Sequence, residues 1–510
     1  MAIRSSFVCS FSSLLFSLTA LALVAGCSAE ADPLPQSSGG SGVAPGSSGS
    51  TSGGGGSSSG APIPTTAGTS SSSGGAPPSG GAPPSTGGAP PSAGSPATAG
   101  SGGIPAATGG ASTNPAPADW YNPDFKEFYG EDCQVATPMA ATNSKLPDLF
   151  KSLDGTRISK KSDWKCRRAE LKKIVETFIH GPKPGTPEKV TGTVTATKIT
   201  VHVEHMGKST DFDVSVSIPT GATQPVAAII GLGGGSLDAG VLKAEGVATI
   251  NYNNNALASE TSRSGKFTDI YGTGTGASAQ IGWAWGVSRI IDVLVAEKAA
   301  GRNNIIDPKG IGVTGCSRLG KGAFTIGAFD ERIALGIPQE SGTGGVSAFR
   351  IVNTAPMGPN GKPAQSLQSA WSEAQGWFGT MFNNYTSGNK VDAIPGDTHS
   401  LVAMYAPRGL LVLDNSRIGE LCATCQHAAS AAGMLVYKAL GVEHNIEYHG
   451  GNPSDPHNHC TFYESQKVPL QNAIRAFLTH KGEPMGKIEP QPAGTADLTK
   501  WIDWDAPSLQ

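Results

Sequence analysis

The chain has 510 residues, with 37 Lys plus Arg against 40 Asp plus Glu and a formal net charge of −3. So balanced a charge leaves no electrostatic footprint for a polyanion, which excludes nucleic acid as an expected partner. With 69 glycines and 37 prolines, much of them early, the chain is also excluded from folding over its whole length.

In chain order, the stretch "MAIRSSFVCSFSSLLFSLTALALVAGC" comes first, with a basic residue at Arg4, an apolar run from about Phe11 and small residues before Cys27. The run is too short and too early for a membrane span and reads as an export signal. "VAGC" has the form of a bacterial lipobox, so residues 1–26 are expected to be a lipoprotein-type leader and Cys27 the lipidated residue. Ordinary secretory cleavage nearby, or an uncleaved anchor, is the alternative. Export is expected, to the outer membrane or cell surface through the lipid anchor, or otherwise as a secreted protein. Residues 27–118 are nearly all Gly, Ser, Pro, Ala and Thr with "GGAPPS" recurring, the composition of a disordered tether. From 119 to 510, roughly 390 residues suffice for one large α/β domain.

Within that domain, residues 196–219 alternate apolar and polar on both sides of "GKST", as an antiparallel hairpin does. "PVAAIIGLGGG" and "GVATINYNN" are continuous apolar runs, expected of strands buried on both faces. Trp283, Val287, Ile290 and Leu294 fall at helical spacing between 277 and 300, with Arg289, Glu297 and Lys298 assigned to the surface. "KGIGVTGCS" is a strand and "RLGKGAFTIGAFD" the helix after it. "RIALGIPQES", "PRGLLVLDNS" and "HNIEYHGG" are further strands, with helices expected at about 426–440 and 464–480. The alternation predicts a mostly parallel sheet covered on both faces, with functional groups at the carboxyl ends of its strands. Ser317, Glu340, Asp414 and His459 each follow such a strand.

A serine hydroxyl becomes a nucleophile when a histidine, oriented by a carboxylate, takes its proton. The chain order here is Ser317, then Glu340 or Asp414, then His459, which is the order of the α/β-hydrolases. "VTGCSRLGKGA" departs from G-x-S-x-G, since Leu319 stands two after the serine and Gly320 one later. Cys316 is the competing nucleophile. In an oxidising compartment it is better read as the partner of Cys460, next to His459, stapling base to nucleophile across roughly 140 residues. His449, His457 and His459 cluster, but without H-E-x-x-H spacing, so no metal or other cofactor is expected. His399 precedes the fourth strand and either lines the pocket or bonds a loop. The backbone amide of Arg318 is a candidate oxyanion donor; "GLGGGS" at 231–236 is either a second donor or a plain turn. Cys422 and Cys425 pair with each other or serve redox chemistry, zinc lacking a second such pair. The terminal "WIDWDAP" either caps the domain or is a loose tail.

"VTGCSRLGKGA", "IPQESGTGG" and "HNHC" together resemble the glucuronoyl esterases, carbohydrate esterase family 15, over most of residues 120–480. The resemblance implies an α/β-hydrolase fold, a three-layer α/β/α sandwich with an N-terminal antiparallel extension. It implies a serine esterase that cleaves the ester between 4-O-methyl-D-glucuronic acid of glucuronoxylan and lignin alcohols; separately, the chain is expected to be a monomer. Ser317 is then the nucleophile, Glu340 the acid, His459 the base, and Arg318 the oxyanion support. Cys316–Cys460 matches the family's disulfide beside the active site, and Cys133–Cys166 its N-terminal one. Lys321, Gln365 and Glu373 match groups facing the sugar. Where the family places a sugar-covering tryptophan, "LDNSRIGELCATC" offers Glu420-Leu421. An acetyl xylan or feruloyl esterase, and a non-catalytic surface carbohydrate-binding protein, are the rival readings.

Overall fold

The computed structural model describes residues 121–452, 454, 458–482, 485–489 and 495–510. The leader, Cys27, the 27–118 linker and His457 lie outside them. Among the described residues nine strands form one sheet in the order β1-β2-β3-β5-β4-β6-β7-β8-β9. Their ranges are β1 Lys189–Val194, β2 Lys198–His205, β3 Lys208–Ser217, β4 Val226–Leu232, β5 Ala248–Tyr252, β6 Ile306–Cys316, β7 Leu335–Gln339, β8 Gly409–Leu413 and β9 Ile446–His449. From β5 to β9 every pairing is parallel, while β1, β2 and β3 add an antiparallel extension at the β5 edge. This is the α/β-hydrolase architecture expected from the sequence.

The continuous apolar runs are explained by burial on both faces. In β4, Ala228, Ile230 and Leu232 join the larger core, whereas Ala227 and Ile229 turn to the smaller one. In β8, Leu410 and Val412 face one way and Leu411 and Leu413 the other. A strand's period of two therefore leaves no polar side to read. Helices Ala279–Ala299, Arg318–Phe329, Thr398–Tyr405 and Ala423–Leu440 fill the larger side, and Ala239–Ala244 with Lys467–Phe477 the smaller. No described helix is long and apolar enough to cross a membrane.

Three details differ from the sequence reading or decide between its options. The hairpin gains a third strand, β1, whose residues alternate only between exposed and half-buried, so its pattern is weak. Arg289 is buried rather than on the surface, and Glu297 is only 8% exposed; Lys298 alone of the three is exposed. For Arg289 the cause is the segment ahead of the sheet, where Glu127 pairs with Arg289 and Lys183, and Arg289 Nε also meets Asp292 at 2.6 Å; Glu297 instead accepts from Arg302 Nε at 2.8 Å. "WIDWDAP" is a cap. Trp504 Nε1 donates to the Leu146 carbonyl at 2.7 Å, and Gln510 N to that of Ser159 at 3.0 Å.

The Glu127 cluster is a buried charge group, and such groups are costly to break from one side. Burial pushes the Glu127 carboxyl up, but Lys183 and then Arg289 outweigh it and hold it below the usual range. Its contribution is therefore present above the ordinary carboxylate pKa and lost as acid protonates it. Glu127→Ala is expected to cost about 3–5 kcal/mol by leaving Lys183 buried without its carboxylate and Arg289 with Asp292 alone. Urea unfolding of the two proteins checks this.

Candidate active site

The site begins where β6 turns into the helix Arg318–Phe329. Ser317 stands at the junction with φ 58° and ψ −123°, a conformation that side chains adopt only under constraint. Its N–H donates to the Gln339 carbonyl at 2.9 Å, which ties the turn to the end of β7. The unusual motif has a steric reason. A Cβ on Gly315 would lie 2.5 Å from the Leu319 carbonyl oxygen, and one on Gly320 2.5 Å from that of Gln339. Gly315 thus makes room for the backbone at the position that departs from the pattern, and the second close approach falls one residue later, at Gly320.

Glu340 follows β7 directly, is fully buried, and also has a left-handed backbone, φ 47°. Its N–H donates to the Leu413 carbonyl at 2.7 Å. Its Oε2 accepts twice, from His459 Nδ1 at 2.6 Å and from the Cys460 amide at 2.8 Å. With Nδ1 committed to the carboxylate, Nε2 is the ring nitrogen left to exchange a proton. Cys316 and Cys460 are bonded, with 5.7 Å between their Cα atoms, so the residue before Ser317 is joined to the residue after His459. These two sulfurs, Glu340 and the His459 ring lie within 4.8 Å of one another, a spacing that also suits a metal. Here the sulfurs are spent on each other and the carboxylate on the ring.

Ser317 and His459 line a cleft of about 700 Å³ whose walls mix polar side chains, Lys321, Gln365 and Glu373 among them, with apolar ones such as Val352, Ala364 and Leu421. Lys321 lies one helical turn beyond Ser317 and is buried, its Nζ donating to the Ser341 carbonyl at 2.6 Å. Burial pushes this ammonium down to about 8, with Glu373 acting in the opposite direction. Gln365 Nε2 donates to Glu373 Oε2 at 2.6 Å, and both residues line the cleft. Glu420 lines it too, held by Lys362 at 2.7 Å and Asn360 at 2.8 Å. An indole is present after all, from elsewhere in the chain: Trp377 forms part of the wall, with Lys321 Nζ 4.8 Å from its ring centre. The sequence reading passed over Trp377 and over Glu260, whose carboxylate accepts from both Trp377 and Arg318. Neither sits in a recognisable motif, although the aromatic pair in "QGWFG" was a signal.

Other expectations settle differently. Asp414 does not reach the ring; it accepts from Tyr448 Oη at 2.7 Å and from the Asn415 amide at 2.8 Å, and burial pushes it up to about 6. His399 is fully buried and bonds the Pro147 carbonyl at 2.8 Å, the loop-bonding option, and burial pushes it down to about 4. The glycine-rich stretch is a turn. The amides of Gly233, Gly234 and Gly235 donate to the carbonyls of Tyr252, Gly231 and Leu232, so they are not free for an oxyanion. The Arg318 amide opens its helix, where no carbonyl one turn back is available to it. Cys133–Cys166 and Cys422–Cys425 are both bonded.

Comparison with known proteins bears on this arrangement. Residues 201–441 match the family model for fungal glucuronyl esterases. The 4-O-methyl-glucuronoyl methylesterase of Neurospora crassa is 39% identical over 391 residues, covering 75% of this chain and 94% of that protein. A serine-to-alanine mutant of the Sporotrichum thermophile glucuronoyl esterase, solved with methyl 4-O-methyl-β-D-glucopyranuronate, superposes with a TM-score of 0.65 at 36% identity. It covers 74% of this chain and 100% of that one. The Caldicellulosiruptor kristjansonii glucuronoyl esterase of carbohydrate esterase family 15 gives a TM-score of 0.59 at 27% identity, over 72% of this chain and 98% of its own. The chain therefore belongs to the glucuronoyl esterases of carbohydrate esterase family 15 and is a carboxylic ester hydrolase.

Proposed function

We propose that this chain hydrolyses esters of 4-O-methyl-D-glucuronic acid, those joining glucuronoxylan to lignin alcohols, by way of an acyl-enzyme on Ser317. The observation that carries the reading is the 2.6 Å bond from His459 Nδ1 to buried Glu340, with ring and serine lining one cleft. Ser317 Oγ attacks the ester carbonyl as its proton passes to His459 Nε2. The tetrahedral oxyanion is met by the Arg318 amide at the helix start and by its guanidinium. Collapse breaks the bond to the alcohol, which leaves with the proton from Nε2. Water then repeats the sequence on the acyl-enzyme, releasing the uronic acid and restoring the serine. Glu340 keeps the imidazole in one tautomer and supports its positive charge throughout.

The walls explain the choice of acyl group. Lys321, Gln365 and Glu373 line the cleft with hydrogen-bonding groups suited to ring hydroxyls, and Trp377 contributes an aromatic ring to the same wall. A fatty acyl chain has no donor or acceptor to meet these polar side chains, so it would take their water away without replacing it. The two relatives that name a substrate, a 4-O-methyl-glucuronoyl methylesterase and a glucuronoyl esterase bound to the methyl ester of that sugar, support the same assignment. Export, with Cys27 as the lipid-bearing residue and the 27–118 tether holding the domain out from the membrane, is proposed from the sequence pattern alone.

Ser317→Ala is expected to abolish turnover of methyl and benzyl glucuronate, by roughly 10⁴-fold or more. The unaltered enzyme is expected to prefer these esters to aryl acetates by kcat/KM. The reverse preference would favour an acetyl or feruloyl esterase, and turnover by the alanine variant would remove Ser317 from the mechanism.

Lys321 is charged below about pH 8 and neutral above it. KM for a uronate ester should therefore rise as pH climbs through 8, with no matching change for an aryl acetate. Lys321→Met should flatten that rise and start from the high value. The double variant Cys316→Ser/Cys460→Ser opens a loop spanning 144 positions. Chain entropy sets its loss at up to about 5 kcal/mol. Calorimetry and initial rates should fall together, since the same bond holds the base loop over the nucleophile.

A further inference from the structure

One carboxylate links a wall of the cleft to the residue beside Ser317, and the mechanism above does not use it. Glu260 lies in the 259–265 loop on the carboxyl side of β5, with a side chain 14% exposed. Its Oε1 accepts from Arg318 Nη1 at 2.9 Å and its Oε2 from Trp377 Nε1 at 2.9 Å. Its own carbonyl accepts from the Gly376 amide at 2.9 Å. From the same loop, Arg263 Nη2 donates to the carbonyls of Gln375 and Phe378 at 2.6 and 3.1 Å. The loop thus grips the 374–378 segment by main chain and side chain, and Glu260 is the point at which that grip reaches the residue beside Ser317.

We propose that Glu260 is a positioning residue for the ester hydrolysis, holding the Arg318 guanidinium beside Ser317 and the Trp377 indole against Lys321. This rests on the roles given to Arg318 and the cleft wall under Proposed function. Arg318 is 54% exposed, and so long a side chain in water samples many rotamers unless something restrains it. As a contribution to stability an ion pair this open is worth little. As a means of keeping a cation where negative charge develops it is worth more, because the donor is then aligned before the reaction starts. A carboxylate suits the task, since its two oxygens accept from two donors arriving on different sides. The second oxygen matters equally: bonded to Trp377, it fixes the carboxylate itself and the ring over which Lys321 lies.

The test is steady-state kinetics of Glu260→Ala, Arg318→Ala and the double variant, on methyl glucuronate and on 4-nitrophenyl acetate. Glu260→Ala is expected to lower kcat about tenfold or more on both esters, because the oxyanion is common to both. KM should rise for the uronate ester only, because Trp377 faces the sugar. The double variant should have the kcat of Arg318→Ala, as expected of one residue acting through another. Losses that multiply in the double variant, or a lowered melting temperature with native kcat, would overturn the proposal. A slow Arg318→Ala beside a normal Glu260→Ala would defeat the Glu260 assignment alone. A normal Arg318→Ala would defeat the oxyanion reading and this inference with it. If Glu260→Ala does not fold, Glu260→Gln, equal in shape, should show a smaller kcat loss on both esters, and native kcat there would be the overturning result.

Discussion

The site depends on one buried oxygen. Glu340 Oε2 accepts both the His459 ring and the Cys460 amide, so a single atom sets the ring's rotation and the path of the loop that carries it. The loop is fixed a second time by the bond between Cys460 and Cys316, whose neighbour is Ser317. Ser317, Glu340 and Cys460 all hold positive φ without being glycine. Each such residue costs of order 1–3 kcal/mol and persists only where its surroundings leave no alternative. For Ser317 and Glu340 the surroundings are the ends of adjacent parallel strands, β6, β7 and β8, locked by the Ser317-to-Gln339 and Glu340-to-Leu413 backbone bonds; for Cys460 they are its disulfide and its amide bond to Glu340. The strain sits where the sheet is best able to bear it.

On that rigid edge the cleft is furnished with groups paired to each other rather than left to water. Gln365 is bonded to Glu373, Glu420 to Lys362 and Asn360, and Lys321 to a carbonyl while facing an indole. Such pairs hold their orientation, which lowers the entropy lost when a polyhydroxylated ring replaces water against them. The proposed sugar wall and the proposed oxyanion support meet at Glu260. This gives a physical route by which binding of the uronate ring and alignment at the ester carbon act together.

Much of this was legible because it is local or has a strong period. The continuous apolar runs of β4, β7 and β8 reflect strands buried on two faces, whereas β5, read from its sequence in the same way, is buried on one face and half-buried to exposed on the other. The residues that follow the strands were legible as a group because parallel sheets bring their carboxyl ends to one edge. What was missed is of another kind. Arg289 reads as a surface residue of an amphipathic helix until Glu127, far away in the chain, covers and neutralises it. The Gly233–Gly235 stretch reads equally as a donor site or a plain turn, and only the fold shows its amides spent on the turn. Trp377 and Glu260 belong to no motif, and only folding puts them beside the serine.

By itself the sequence determined the class of fold, the order of serine, acid and histidine along the chain, and the placing of Cys316 and Cys460 next to two of them. Those follow from side-chain period and from adjacency, which are properties of the chain before it folds. Only the tertiary structure decided which carboxylate faces the imidazole. Glu340 and Asp414 follow neighbouring strands and are both fully buried, so composition and order cannot separate them. The direction each side chain takes at the sheet edge can. Glu340 turns to His459, while Asp414 turns to the Tyr448 hydroxyl and the Asn415 amide. That direction is fixed by long-range packing, which no short stretch of sequence contains.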